Sequence, residues 1–323
     1  MEGSPYNCIV LLGPTAVGKT SLAVRIASHY GWDIISADSR QVYKGLDLGS
    51  GKDLSEYTDA GVRCHLLDVA TLQSEYNVFN FQQAFYSLFD EFSACGKMPF
   101  VCGGTGMYVD SLVRGYSFVD VPRNELLRKE LSVKSLEELG GLLLRLRPNL
   151  HNRTDLLDRE RTLRAIEIET FMQSQEGKAL AEADRAKRKV KAFVLGLTMP
   201  RENLRQNIKI RLKERFDLGM IDEVRQLHER DGYSWERLEK LGLEYRFISQ
   251  FLEGKIASFE ELFETLYHAI CQFAKRQETW FRGMERKGVD IHWLSRDGSK
   301  DAAYSQALDL IEKNVAFVQS TCL

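Results

Sequence analysis

The chain has 323 residues, 44% of them apolar and 28% charged, with a net charge of −2. This is the make-up of a well-packed soluble protein with one large domain or two ordinary ones. No run of about 18 apolar residues occurs, which argues against a membrane span, and six scattered cysteines without a Cys-x-x-Cys pair argue against a zinc or disulfide framework.

In chain order, the apolar run Cys8–Leu12 reads as a buried strand, followed by a glycine-rich loop and a helix through SLAVRIASHY. WDIISAD and HLLDV read as the second and third strands, and residues 78–94 have apolar side chains at helical spacing. MPFVCGG reads as a further strand, with a helix through GMYVDSLVRG after it. Strands alternating with helices imply an α/β fold, a parallel sheet covered on both faces. After Pro122 the texture changes to charged helices as far as Lys191, and AFVLGL is expected to return to the sheet. Helices then run from Glu202 to Met284, including an apolar stripe from Phe259 to Ala274 expected to be core. VDIHWL is expected as a late edge strand, with a terminal helix after Asp301. The expected division is a P-loop NTPase-like α/β core at 1–120, a basic helical insertion at 121–190 and a mainly helical return at 191–323.

Charge is unevenly spread. Residues 1–120 carry −5, residues 121–215 carry +8, and residues 216–323 carry −5. The basic middle suits a polyanion-binding stretch and equally a helical hairpin with solvated Lys and Arg. Two cysteines in predicted buried strands suit a reducing compartment, and MEGSPYN lacks the basic and apolar regions of a secretory signal. The expected location is the cytoplasm.

GPTAVGKT satisfies G-x-x-x-x-G-K-[ST] with a strand before it and a helix after it. Gly13 and Gly18 allow turns that aim backbone N–H groups at phosphate oxygens, and the helix adds the positive end of its dipole. Lys19 supplies a full charge, and the Thr20 hydroxyl suits Mg²⁺. The motif is that of nucleotide-binding and ATP-binding loops, and it does not by itself choose a reaction. Asp38 is expected at the end of a strand, at the sheet's carboxyl edge, where a carboxylate holds Mg²⁺ or accepts a proton. Capping of the next turn is the bland alternative for Asp38. GGTGMY brings Thr105 and several glycine amides to the same edge. His65 reads as a structural histidine, and Trp280 and Phe281 as core.

GPTAVGKTSLA, IISADSRQVYKGLDLGSGK, HLLDV, VCGGTGMYVDSLVRG, RTLRAIEI, GMIDEV and AKRQETWFRG occur in this order. Together they resemble the tRNA dimethylallyltransferase family, over most of the chain. The resemblance implies transfer of the dimethylallyl group of dimethylallyl diphosphate to N6 of the tRNA adenosine immediately 3′ of the anticodon. It implies that Gly13, Pro14, Thr15, Ala16, Val17, Gly18, Lys19 and Thr20 hold the diphosphate and its Mg²⁺. Asp38 would be the general base, Thr105 a contact to the target base, and Ser39, Arg40 and Gln41 nucleotide contacts. Arg128, Arg161 and Arg164 match tRNA-facing positions, and Lys275, Arg276 and Gln277 are candidates for backbone or base contacts. The enzyme is expected to act as a monomer.

The chain departs from the family pattern in several places. An Arg-x-x-x-Arg pair is usual before GMIDEV, one arginine of which contacts the diphosphate; here its first position is Asn207, and Arg211 and Arg215 remain as candidates to substitute, Arg211 first. GSGKD replaces G-T-A-K-P, LGLEYR replaces the usual Gly-Tyr, and HNRTD (His151–Asp155) stands where His-Pro-Asn-Asp is usual. These point to a divergent bacterial paralogue. An adenylate-type isopentenyltransferase, a P-loop small-molecule kinase and an inactive tRNA-binding paralogue remain open as alternatives.

Overall fold

The computed structural model describes residues 5–116, 118–148, 156–185, 190–296 and 300–315. His151–Asp155 therefore lie outside the described residues. Within the chain the described residues divide into two compact units, one of 1–115 with 190–323 and one of 116–189.

The first unit opens with β1 (Cys8–Leu12), α1 (Lys19–Tyr30), β2 (Ile34–Ser36), α2 (Leu54–Asp59), β3 (Cys64–His65) and α3 (Val78–Ala94). β4 (Phe100–Gly103) and α4 (Gly106–Val113) follow. The second unit holds α5 (Glu125–Leu131), α6 (Leu136–Leu146), α7 (Arg159–Gln173) and α8 (Gln175–Arg185). The chain returns through β5 (Ala192–Thr198), α9 (Arg201–Asp217), α10 (Met220–Glu229), α11 (Trp235–Lys240) and α12 (Leu243–Leu252). It ends with α13 (Phe259–Arg286), β6 (Ile291–Ser295) and α14 (Lys300–Asn314).

Among the described residues the six strands of the sheet are all parallel, in the order β3-β2-β4-β1-β5-β6. The α/β reading holds, and AFVLGL does pair with β1 as expected. Every residue of β1 is buried, as a central parallel strand requires. Ile9 and Leu11 enter one core, with α1, α9–α12 and α14; Cys8, Val10 and Leu12 enter the other, with α3 and α4.

Three expectations need correction. The HLLDV strand stops at His65, because Leu66 and Asp68 take left-handed conformations with φ of 63° and 55°. A β ladder does not accommodate that backbone. Phe259, the first residue of the expected stripe, is 42% exposed at the start of α13. Trp280 is 38% exposed, whereas Phe281 is fully buried.

Helix α13 serves both cores. Leu262, Leu266, Ile270 and Ala274 pack in the first, and Phe281 and Met284 in the second. Gln277 lies between these two runs on the same buried stripe. The second unit has its own small core of Leu131, Leu139, Leu143, Leu163 and Ile166.

Candidate active site

The sheet's carboxyl edge collects the motifs. Leu12 is in register with Gly103, and Ser36 with Cys102, so β1, β4 and β2 end side by side. The phosphate loop, Thr105 and Asp38 each begin within two residues of those ends. A β-carbon on Gly103 would stand 2.3 Å from the Ala37 carbonyl oxygen, so only glycine lets the β2 and β4 exits approach this closely.

The two exits are joined by hydrogen bonds. The Ser39 N–H donates to the Thr105 hydroxyl at 3.0 Å, and the Thr105 N–H donates to the Ala37 carbonyl at 3.2 Å. Asp38 Oδ1 accepts from the N–H groups of Arg40 at 2.9 Å and Gln41 at 3.4 Å. The turn-capping role is therefore real, and it fixes the carboxylate while leaving Oδ2 for other chemistry. Gln41 braces the same loop: its carboxamide donates to the Gly51 carbonyl and accepts from Ser36.

In the phosphate loop, Lys19 Nζ donates to the Pro14 carbonyl at 2.7 Å. Burial lowers its pKa from 10.5 to about 8, against the attraction of Cys102 and Asp38. Arg211 and Asp53 also act on its charge, which places them at the same site. Arg211 pairs with Asp53 and donates to the Gly51 carbonyl. Arg215, one turn on, lies 3.6 Å from Glu244, and burial holds the guanidinium below its ordinary pKa and the carboxyl above its own. Asn207 directs its amide to the Ala16 carbonyl at 3.4 Å.

Several residues here were not singled out by sequence reasoning, or carry a different part. Gln277, expected to face RNA, is buried: its Oε1 accepts from the Thr15 N–H, and its Nε2 donates to the Gly104 carbonyl, both at 2.8 Å. It ties the phosphate loop to the β4–α4 loop. Lys52 is buried between Asp47 at 2.6 Å and Asp68 at 2.5 Å, and it also donates to the Tyr43 carbonyl. Glu223 of GMIDEV accepts from the N–H groups of Asp47, Leu48 and Gly49 and from the Tyr245 hydroxyl. Those two anchors hold the loop that follows Asp38. His65 is, as expected, a structural partner, 3.0 Å from Asp33. Lys275 and Arg276 are exposed on α13.

The second unit uses its arginines differently. Arg128, only 13% exposed, pairs with Glu167 and Glu160, both at 2.7 Å. Arg164 donates to the Val121 carbonyl and meets Glu167. Arg161 is exposed.

Among the described residues no group of three His, Cys, Asp or Glu side chains stands ready to cage a metal. The oxygen donors on offer are the Thr20 hydroxyl, next to Lys19 in the chain, and the Asp38 carboxylate, whose charge acts on Lys19. Such oxygen donors fit a hard cation that arrives with phosphate oxygens and keeps most of its water.

A parallel sheet with this loop after β1 and a fixed carboxylate after β2 defines a P-loop-like α/β protein. The sequence model of the IPP transferase family matches residues 41–284, and the chain belongs to that family. It is 52% identical, over 90% of this chain and 96% of the relative, to tRNA dimethylallyltransferase 2 of Treponema denticola. It is 49% identical to tRNA dimethylallyltransferase 2 of Trichlorobacter lovleyi, over 92% and 94% of the two chains. The crystal structure of the tRNA isopentenylpyrophosphate transferase of Bacillus halodurans superposes with a TM-score of 0.69 at 28% identity, covering 95% and 96% of the chains. A eukaryotic dimethylallyltransferase crystallised acting on tRNA gives 0.74 at 23% identity, covering 98% and 81%, a likeness of fold.

Proposed function

We propose that the protein transfers the dimethylallyl group from dimethylallyl diphosphate to N6 of the adenosine immediately 3′ of the anticodon in tRNA. The observation that carries this reading is the convergence of three strand exits: phosphate loop, Thr105 shelf and Asp38, the first two tied by Gln277. An anion-binding loop and a carboxylate on one sheet edge suit a diphosphate leaving group and a nitrogen nucleophile side by side.

In the reaction the adenine N6 attacks C1 of the dimethylallyl group, the C1–O bond breaks, and diphosphate departs. Asp38 Oδ2 takes the N6 proton as positive charge develops on that nitrogen. An exocyclic adenine amine is a poor nucleophile, so removal of that charge is worth much of the barrier. The loop N–H groups, Lys19 and Arg211 neutralise the departing diphosphate, and they act most strongly where water is scarce. Mg²⁺, when bound through Thr20, would add charge stabilisation on the leaving oxygens. The Thr105 hydroxyl, which accepts from the Ser39 N–H, orients the base, which must leave its stack to enter. Arg40 takes nucleotide contacts beside Ser39. Exposed Arg161, Lys275 and Arg276 supply backbone contacts, while Arg128 and Arg164 act by holding α7 in place.

The relatives' names do not favour an adenylate acceptor, a kinase or an inactive paralogue. The test mixes protein, Mg²⁺ and labelled dimethylallyl diphosphate with bulk tRNA or with AMP. Label is expected in tRNA alone. Label in AMP, or none in either, overturns the reading.

A further inference from the structure

Three side chains grip the backbone carbonyls of the phosphate loop. Lys19 takes Pro14, Asn207 takes Ala16, and Arg296 Nη1 donates to the Val17 carbonyl at 2.6 Å, the shortest of the three. Arg296 comes from the far end of the chain. It directly follows β6, and its own N–H donates to the Thr198 carbonyl at 2.8 Å, continuing the β5–β6 pairing by one residue. That bond fixes its starting point at the carboxyl edge of the sheet. The guanidinium then lies over Gly18, where a β-carbon would stand 1.6 Å from Nη1 and where φ is 88°. Burial depresses its proton affinity, with Glu56 of α2 acting the other way. A half-buried cation against a phosphate loop is costly unless an anion offsets it.

The peptide plane turns this contact into a statement about the ligand. In a trans peptide the Val17 carbonyl and the Gly18 N–H point in opposite directions. Holding the carbonyl outward therefore holds the Gly18 N–H inward, toward the anion. We propose that Arg296 is a positioning residue of the diphosphate site: it locks the Val17–Gly18 peptide with its N–H facing the ligand and adds positive charge behind the loop. This rests on the reading that the loop holds a diphosphate.

The test measures binding of inorganic pyrophosphate with Mg²⁺ by calorimetry, together with steady-state kinetics for both substrates. Arg296→Ala is expected to weaken pyrophosphate binding about tenfold or more, the size of a lost charge-assisted hydrogen bond. KM for dimethylallyl diphosphate should rise in parallel, with KM for tRNA unchanged. Arg296→Lys should recover most of the loss by restoring charge, and Arg296→Gln less, because it restores only a donor. Should Arg296→Ala melt early, the Lys and Gln variants decide by that order. Pyrophosphate affinity equal to wild type in the folded Ala or Gln variant overturns the inference alone. A wild-type protein that does not bind pyrophosphate overturns the diphosphate reading and the inference with it.

Discussion

The phosphate-loop site and the inserted helices at 116–189 both hold arginines with depressed or elevated proton affinity, but they treat that charge in opposite ways. At the site, burial drives cations down: Lys19 falls to about 8, and Arg215 and Arg296 fall below their ordinary values. In the insert, hydrogen bonds to Glu167 and Glu160 push Arg128 up. The lesson is that a count of Lys and Arg does not locate an anion site. What marks the loop region is buried positive charge whose proton affinity burial lowers, even where a carboxylate such as Glu244 stands beside it.

The comparison breaks most clearly at Asp38. Asp38→Asn is expected to lower kcat by about 10²–10⁴-fold, the range for removing a general base. Pyrophosphate affinity should stay near wild type, since Asn still caps the turn. Turnover near wild type in the folded variant would remove the base role.

Next in size is Lys19→Ala, for which kcat/KM is expected to drop about 10²–10³-fold, comparable to losing one preorganised charge donor. The wild-type pH profile tests the same charge. Lys19 is protonated below about 8 and neutral above it. Affinity for pyrophosphate should therefore hold at neutral pH and fall as pH rises through 8, and the Lys19→Ala variant should lose that dependence.

On the other side of the comparison, Arg128→Ala leaves Glu167 buried without its main partner. It should destabilise the protein by about 3 kcal/mol, as single-partner removal from buried pairs does. Thermal unfolding measures this, and affinity for pyrophosphate should not change in the folded fraction. The smallest effect is expected at Arg161. Arg161→Gln should reduce the salt slope of tRNA binding by about one and leave KM for the donor alone.

Much of the fold was readable, because strands and helices announce themselves through local pattern. Cys8–Leu12 is a continuous apolar run, and GPTAVGKT has its strand before and helix after. What local pattern hides is pairing across the sheet. Arg296 reaches Val17 because β6 pairs with β5 and β5 with β1, an order that no spacing along the chain encodes. Glu223 and Gln277 are hidden for the same reason: their partners lie 174 and 262 positions away. HLLDV misleads in the other direction, since its apolar run promises a strand that left-handed Leu66 and Asp68 interrupt. Arg128 shows that a positive residue on a basic stretch is silent about whether acids elsewhere have already claimed it.

The carboxamide of Gln277 is a ruler. Strand spacing sets how far apart β1 and β4 run, but the gap between the loops above them is set by one side chain spanning Thr15 and Gly104. The separation of those two loops is thus a matter of side-chain length on a helix at the other end of the sequence. Asparagine, one methylene shorter, would bring the two lips of the pocket out of reach of a common clasp while leaving every strand where it is.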